Sequence, residues 1–183
     1  SRQDSIPWQD SISQTVAKGW NTGRTVGARY EEWKIAVEQL YLDTSAILPY
    51  YREELHSKPV QDILSAITAP VAISYLTDVE FASALSRLVR MNELNDAQAE
   101  IIEQAFTDDC NAGLFKRISL TAAHFKQAVK WLSLRNTSLR TLDTLHLAVS
   151  SQGGMKIVTC DAILAQAANK LCKEYILLPD EPD

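Results

Sequence analysis

Residues 41–48 read YLDTSAIL, and this stretch decides the fold. A short apolar strand pattern ends at Asp43, and a helical pattern follows it. Residues 158–168, VTCDAILAQAA, repeat this layout around Asp161. Because the carboxyl ends of strands in an open α/β sheet form the ligand-binding edge, both carboxylates are predicted at that edge. An alternative that stays open is that each Asp only caps the helix after it.

Strand patterns alternate with helix patterns from about residue 38 to residue 178. This alternation predicts a three-layer α/β/α domain over residues 37–183, with a central, mainly parallel sheet covered on both faces. Its helices include TAAHFKQAVKWLSL, capped by Thr121, and TLDTLHLAVSSQ, which stops at Gly153 and Gly154.

Two more carboxylates lie near predicted helix starts. Thr77 and Glu80, in LTDVEFASAL, have the spacing of a capping box, with Thr77 as N-cap. Asp143, in RTLDTLHLA, falls in the first turn of an apolar helix, where the helix macrodipole favours an anion. His146 follows one helical turn later, and we interpret it as structural because metal-assisted hydrolysis needs no imidazole.

Four carboxylates in apolar surroundings cannot stay ionised together without a compensating cation. Oxygen ligands of this kind are those of Mg²⁺ or Mn²⁺. The pattern therefore favours a metal-dependent phosphodiester hydrolase. Scattered Cys and His residues disfavour a zinc site. A phosphatase with an Asp nucleophile would need a second Asp two residues on, where this chain has Ser45.

Composition is that of one ordinary globular domain: 183 residues, 46% of them hydrophobic, with a formal net charge of −5. The three cysteines, Cys110, Cys160 and Cys172, have no pairing pattern, so reduced thiols in a cytoplasmic protein are expected. No apolar run has the length of a membrane span, so no membrane partner is expected.

A local reversal of charge precedes Asp143. Residues 111–142 contain no Asp or Glu. Because Lys and Arg bind backbone phosphates, this basic segment is the candidate surface for a nucleic-acid substrate, although an ordinary solvated helix face is the alternative. Its proposed nucleic-acid-binding residues are Lys116, Arg117, Lys126, Lys130, Arg135 and Arg140.

Taken in order, the four motifs resemble the PIN domain family, in particular the VapC-type toxins of prokaryotic toxin–antitoxin pairs. The resemblance rests on DTSA at 43–46, the T-x-x-E-F helix start at 77–81, LDTLHLA at 142–148 and T-x-D-x-x-L-x-x-A at 159–167. It implies a PIN-like fold and a Mg²⁺- or Mn²⁺-dependent endoribonuclease. The implied catalytic and metal-binding quartet is Asp43, Glu80, Asp143 and Asp161, supported by Ser45 and Thr159.

The resemblance also implies an RNA substrate, an antitoxin partner and a possible homodimer. Two other functions stay open: a housekeeping PIN nuclease in RNA processing, and a catalytically silent module that binds RNA or protein. Residues 1–36 depart from the family pattern and are expected to be a helical N-terminal extension, with Trp8, Ile12, Val16 and Trp20 on one face. This extension would dock on the domain, resemble an antitoxin segment, or only cover the sheet edge.

Overall fold

The computed structural model describes residues 40–52, 57–67 and 70–178, and within them five strands form one parallel sheet. The strands are β1 (Leu40–Leu42), β2 (Val71–Ser74), β3 (Phe115–Ile118), β4 (Lys156–Thr159) and β5 (Tyr175–Leu177). The helices are α1 (Leu48–Tyr51), α2 (Ser57–Ala66), α3 (Tyr75–Arg90), α4 (Asp96–Asn111), α5 (Ala122–Ser133), α6 (Thr141–Gln152) and α7 (Ala162–Lys170), with a 3-10 turn at Thr44–Ala46. The predicted extension, residues 1–36, lies outside the described residues.

The strand order is β3-β2-β1-β4-β5. The chain thus builds outward from β1 to β3 on one side and from β4 to β5 on the other, so the order reverses between β1 and β4. The crevice at the carboxyl ends of the strands flanking such a reversal is where open α/β sheets bind ligands. Asp43 follows β1 directly, and Asp161 follows β4 after one intervening residue, Cys160.

Strands β1 to β4 contribute to two separate cores because successive side chains point to opposite faces of the sheet. Leu40, Leu42 and Ile73 pack with α1 to α4, whereas Tyr41 and Ile157 pack with α5 to α7. Helices therefore cover both faces, and the predicted three-layer α/β/α arrangement is confirmed.

Several helix ends follow the sequence signals. Thr121 caps α5 in a box closed by the side chain of His124, whose Nδ1 accepts from the Thr121 amide at 2.9 Å. Helix α6 ends at Gly153, and the chain turns through Gly154, whose φ of +65° suits a residue without Cβ.

The predicted start of α3 is wrong. The helix begins at Tyr75 rather than after Thr77, so Ser74 occupies the N-cap position and Thr77 is buried within the first turn. Glu80 therefore lies in the second turn and forms no capping box. The Ser74 hydroxyl makes no capping bond either, and instead accepts a hydrogen bond from Tyr41 at 3.0 Å.

Within the described ranges, no helix combines the length and apolar character needed to cross a lipid bilayer. Of the three cysteines, Cys110 is buried, Cys160 is half-buried and Cys172 is exposed.

Candidate metal-binding site

Asp43 lies at the carboxyl end of β1 and is 5% exposed. Its Oδ1 accepts hydrogen bonds from the Ser45 hydroxyl at 2.7 Å and from the Ala46 amide at 3.2 Å. Its Oδ2 accepts from the Thr159 hydroxyl at 2.9 Å. Asp43 thus caps the 3-10 turn with one oxygen, and the capping interpretation of this residue is compatible with a functional one.

Burial raises the pKa of Asp43 to about 6, against the favourable effect of the nearby His146 and of its own hydrogen bonds. Removing a carboxylate from water disfavours its charged form. The polar contacts recover part of that cost without cancelling it. A cation at this position would lower the pKa again, so the Asp43 environment suits a carboxylate that binds a positive ligand.

Ser45 and Thr159 hold Asp43 from two sides. The register of the sheet places Leu42 of β1 beside Val158 of β4, so that Asp43 and Thr159 become neighbours just beyond. The two hydroxyl oxygens are also 3.2 Å apart, and the Cys160 amide donates to Ser45 at 2.9 Å. Both hydroxyl groups therefore donate to the Asp43 carboxylate.

Asp161 lies after β4 and caps α7. Its Oδ1 accepts from the amides of Ile163 at 2.7 Å and Leu164 at 3.3 Å. Its own amide donates to the Thr159 hydroxyl at 2.9 Å. Thr159 thus connects Asp161 to Asp43, and the two strand-end carboxylates share one hydrogen-bonded frame.

Glu80 projects from α3 with a side chain that is 20% exposed. Its Oε2 accepts from the Thr44 hydroxyl at 2.7 Å and contacts Nε2 of His146. Partial burial alone would raise the pKa of Glu80, but the hydrogen bond and charge of His146, together with the Thr44 hydroxyl, lower that pKa below its ordinary value. Because an ionised carboxylate only accepts hydrogen bonds, Nε2 of His146 carries a proton.

His146 continues this network into the core. Its Nδ1 lies 2.6 Å from the hydroxyl of Tyr41, which donates to Ser74 over 3.0 Å. His146 is 2% exposed, and Tyr41 and Ser74 are completely buried. Burial also raises the pKa of Tyr41, so its hydroxyl stays protonated. The network therefore runs from the core of the domain to a carboxylate at its surface.

Asp143 lies in the first turn of α6, as predicted, and its Oδ2 accepts from the Arg140 amide at 3.3 Å. It precedes His146 by three residues, so the two lie on the same side of the helix. Of the residues that the structure describes, no three His, Cys, Asp or Glu side chains stand close enough together to form a metal cluster. Asp43, Asp161 and Glu80 are each hydrogen-bonded to residues at the carboxyl ends of β1 and β4. The described hydrogen bond of Asp143 is instead to its own helix, one turn before His146.

The donor set fits a hard divalent cation. Asp43 accepts hydrogen bonds on both of its oxygens, whereas the hydrogen bonds described for the other three carboxylates all go to one oxygen. Among the described residues, no hydrogen bond reaches Glu80 Oε1, Asp143 Oδ1 or Asp161 Oδ2. Mg²⁺ is bound by one or a few such oxygens together with water.

Sequence reasoning did not assign a role at this site to Tyr41 or Thr44, and it interpreted His146 as structural. Tyr41 reads as an ordinary strand residue, and Thr44 as part of a turn. The spacing of His146 from Asp143, one helical turn, was the one available signal. Nothing local indicates that this side of α6 meets Glu80, which is 66 positions away in the chain.

Five of the six proposed RNA-binding residues are exposed: Lys116, Lys126, Lys130, Arg135 and Arg140. Gln152 near the end of α6 donates to the Ala123 carbonyl near the start of α5, so the two helices are antiparallel. The connection between them therefore leads from the end of α5 to the beginning of α6, where Asp143 lies.

Arg117 differs from the other five. Its guanidinium donates to both carboxylate oxygens of Asp78 at 2.9 to 3.1 Å, and it lies 5.8 Å from the ring centroid of Phe106. This side chain already has a partner within the domain. Phe115 and Trp131 are buried, whereas Phe125, also in the basic segment, is 50% exposed.

The fold is similar to that of several solved structures. FitAcB from Neisseria gonorrhoeae superposes with a TM-score of 0.61 and 18% identity, covering 75% of this chain and 96% of that one. VapC20 from Mycobacterium tuberculosis, a sarcin-ricin loop cleaving toxin, gives 0.55 and 16%, covering 70% and 94%. VapBC2 from Rickettsia felis, bound to a promoter DNA fragment, gives 0.55 and 12%, covering 76% and 98%.

Comparison with curated protein sequences finds no match. Residues 40–170, however, match the PIN domain family. The matched region covers most of the chain and contains all four acidic motifs. The match starts at the first residue of β1 and ends at the last residue of α7. The chain therefore belongs to the PIN domain family.

Proposed function

We propose that this protein is a metal-dependent endoribonuclease that hydrolyses RNA phosphodiester bonds and acts in the cytoplasm as the toxin of a toxin–antitoxin pair. The observation that carries the proposal is the placement of Asp43 and Asp161 on either side of the strand-order reversal, with Glu80 hydrogen-bonded to Thr44, the residue after Asp43. Family membership and the fold shared with the toxin VapC20 support the same activity.

In this proposal, Asp43, Glu80, Asp143 and Asp161 hold Mg²⁺ or Mn²⁺. Such an ion, when bound, activates a water molecule and stabilises the charge that develops on the phosphate. Ser45 and Thr159 keep Asp43 oriented. Asp143 lies in the first turn of α6 and Asp161 at the N-cap of α7, so the positive ends of these helix dipoles favour both carboxylates in their ionised form.

The basic segment would guide RNA to this edge of the sheet. Lys130, Arg135 and Arg140 lie along the end of α5 and the connection that leads to Asp143, and all three are exposed. Phosphate contacts of this kind position the nucleic acid without reading its sequence. We assign Arg117 a smaller part in this surface because Asp78 already binds its guanidinium.

The direct test is cleavage of total cellular RNA by the purified full chain with Mg²⁺, with Mn²⁺ and with EDTA. We expect cleavage with either metal, none with EDTA, and a loss of several orders of magnitude in Asp43→Asn. Absence of cleavage under all three conditions, in folded protein that still binds RNA, would contradict the nuclease proposal and favour a binding module.

Expression in a bacterial host separates a toxin from a housekeeping nuclease. We expect growth arrest with the wild-type chain and normal growth with Asp43→Asn, expressed to the same level. Metal-dependent cleavage in vitro without growth arrest would favour the housekeeping function. Co-purification of a small partner protein whose binding suppresses cleavage would support the antitoxin.

A further inference from the structure

A line of four polar side chains connects the core to the proposed metal site. It runs from Ser74 through Tyr41 and His146 to Glu80, with contacts of 3.0 Å between the two hydroxyl oxygens and 2.6 Å between Tyr41 and Nδ1 of His146. The first three side chains are at most 2% exposed. Only Glu80 reaches the surface. Of these four side chains, Glu80 is therefore the one that a bound cation could reach.

Burying these groups is unfavourable compared with an apolar core of the same shape. A hydroxyl or imidazole removed from water must recover its lost hydrogen bonds inside the protein. Phenylalanine would fill the place of Tyr41 between β2 and α6 at almost the same volume. Stability of the core alone thus does not explain this choice of residues.

The geometry at Glu80 indicates what the line does. Both described donors to its carboxylate, Nε2 of His146 and the Thr44 hydroxyl, contact the same oxygen, Oε2. No described donor reaches Oε1. Two donors from different elements fix the plane of the carboxylate and leave one oxygen available.

We propose that His146 and Tyr41 are positioning residues for Glu80: His146 holds Oε2 so that Oε1 faces the cation, and Tyr41 holds the imidazole ring in the orientation that this requires. Tyr41 has no hydrogen bond to Glu80 itself and contacts it through His146, while its hydroxyl also donates to Ser74. The inference rests on the proposed function because it takes Glu80 as a metal ligand. Partners of this outer kind set the orientation of metal ligands in many sites.

The test is the Mn²⁺ affinity of the full chain, measured by isothermal titration calorimetry on wild type and Tyr41→Phe. We expect Tyr41→Phe to bind Mn²⁺ about 10- to 100-fold more weakly, the range typical of lost outer partners. In a Glu80→Gln background the same substitution should have no further effect, since Tyr41 acts through that carboxylate.

Tyr51→Phe is the matched control. Tyr51 is also a buried tyrosine, and its hydroxyl donates to the Asp109 carboxylate at 2.6 Å on the opposite face of the sheet. Its removal should lower the thermal stability and leave the Mn²⁺ affinity unchanged. A structural role for Tyr41 would make the two variants behave alike in both measurements.

Variants of His146 give a second route if Tyr41→Phe does not fold. His146→Gln offers an amide donor toward Glu80, whereas His146→Leu offers none. We expect the Mn²⁺ affinity to fall in the order wild type, His146→Gln, His146→Leu. Equal affinities in all three would overturn the positioning role.

The outcomes separate the inference from the proposed function. Wild-type Mn²⁺ binding that Tyr41→Phe leaves unchanged would overturn the positioning role only. Wild-type protein that neither binds Mn²⁺ nor cleaves RNA would overturn the proposed function and this inference together.

Discussion

The hydroxyl of Thr159 donates a hydrogen bond to Oδ2 of Asp43 at 2.9 Å, across 116 positions of sequence. The same hydroxyl oxygen accepts from the amide of Asp161 at 2.9 Å. One buried side chain thus orients the first carboxylate of the site and the backbone that carries the last one. Its donor and acceptor functions are both used, and no apolar residue can replace them.

This relationship makes Thr159→Val an informative substitution. Valine has nearly the same shape but leaves Asp43 without a donor and the Asp161 amide without an acceptor. We expect a loss of about 1–3 kcal/mol in the free energy of unfolding and a fall of about 10- to 100-fold in metal-dependent cleavage.

Thr159→Ser is the control for this substitution, because it keeps the hydroxyl and removes only a methyl group. It should retain most of the activity. Loss of activity in Thr159→Ser equal to that in Thr159→Val would show that packing of the methyl group, rather than the hydrogen bonds, determines the effect. Urea denaturation measures the free energy of unfolding of each variant, and an RNA cleavage assay measures its activity.

The raised pKa of Asp43 predicts how stability depends on pH when EDTA keeps the protein free of metal. The folded pKa is about 6 and the ordinary value 3.8, so the folded state binds this proton more tightly than the unfolded state does. The stabilising contribution of Asp43 to the free energy of unfolding is fully present below pH 3.8 and is lost as the pH rises through about 6. It amounts to about 3 kcal/mol.

Asp43→Asn should therefore remove the decline in stability between about pH 4 and pH 7. Glu80 contributes in the opposite direction, since its lowered pKa stabilises the fold above its ordinary value of 4.5, and this stabilisation is lost as the pH falls below that value. Thermal unfolding of both proteins across this range in EDTA tests the prediction. If the stability of Asp43→Asn declined with pH as much as that of the wild type, groups other than Asp43 would cause the decline.

Charge reversal in the basic segment should weaken RNA binding. Lys126→Glu combined with Lys130→Glu places two acidic side chains on the exposed face of α5. Because each lost phosphate contact lowers the dependence of affinity on salt, the slope of log affinity against log salt should become flatter by about 0.7 for each contact. Fluorescence anisotropy with a single-stranded RNA at several salt concentrations measures it.

A second charge reversal, Arg87→Glu with Arg90→Glu, is the matched control. These two residues are also exposed and lie on α3, in the other helical layer. The change in net charge is the same in both double variants. Equal losses of RNA affinity would indicate a general effect of charge and contradict a binding surface on α5.

Arg117 and Lys116 are neighbours on β3 with different expected roles. Arg117→Ala removes the ion pair with Asp78 and the contact with Phe106, so it should cost about 1 kcal/mol of stability. Lys116 is exposed, and Lys116→Ala should lower RNA affinity with little change in stability. Urea denaturation and RNA binding of both variants test this contrast, and the reverse result would return Arg117 to the RNA-binding surface.

The sequence by itself determined the parts of this protein that depend on short-range patterns. The alternation of strands and helices, the position of Asp43 and Asp161 after their strands, the cap at Thr121 and the stop at Gly153 all follow from neighbouring residues. Local propensity and capping act over a few positions, so a single chain displays them directly.

The tertiary structure determined which residues distant in the sequence contact each other. Thr77 has the sequence of an N-cap, yet α3 begins two residues earlier, because the end of β2 and the hydrogen bond between Ser74 and Tyr41 fix where the helix starts. Arg117 appears in the sequence as one of six free cations, and the fold gives it Asp78 as a partner.

The candidate site shows the same division. Four carboxylates could be named from their motifs, but the order of the strands placed β4 beside β1. The positions of α3 and α6 on opposite faces of the sheet brought His146 into contact with Glu80. Contacts between residues 66 and 116 positions apart depend on strand register and helix packing. Those are properties of the assembled core, in which each pairing is chosen by the burial of many side chains at once, and no local stretch of sequence encodes them.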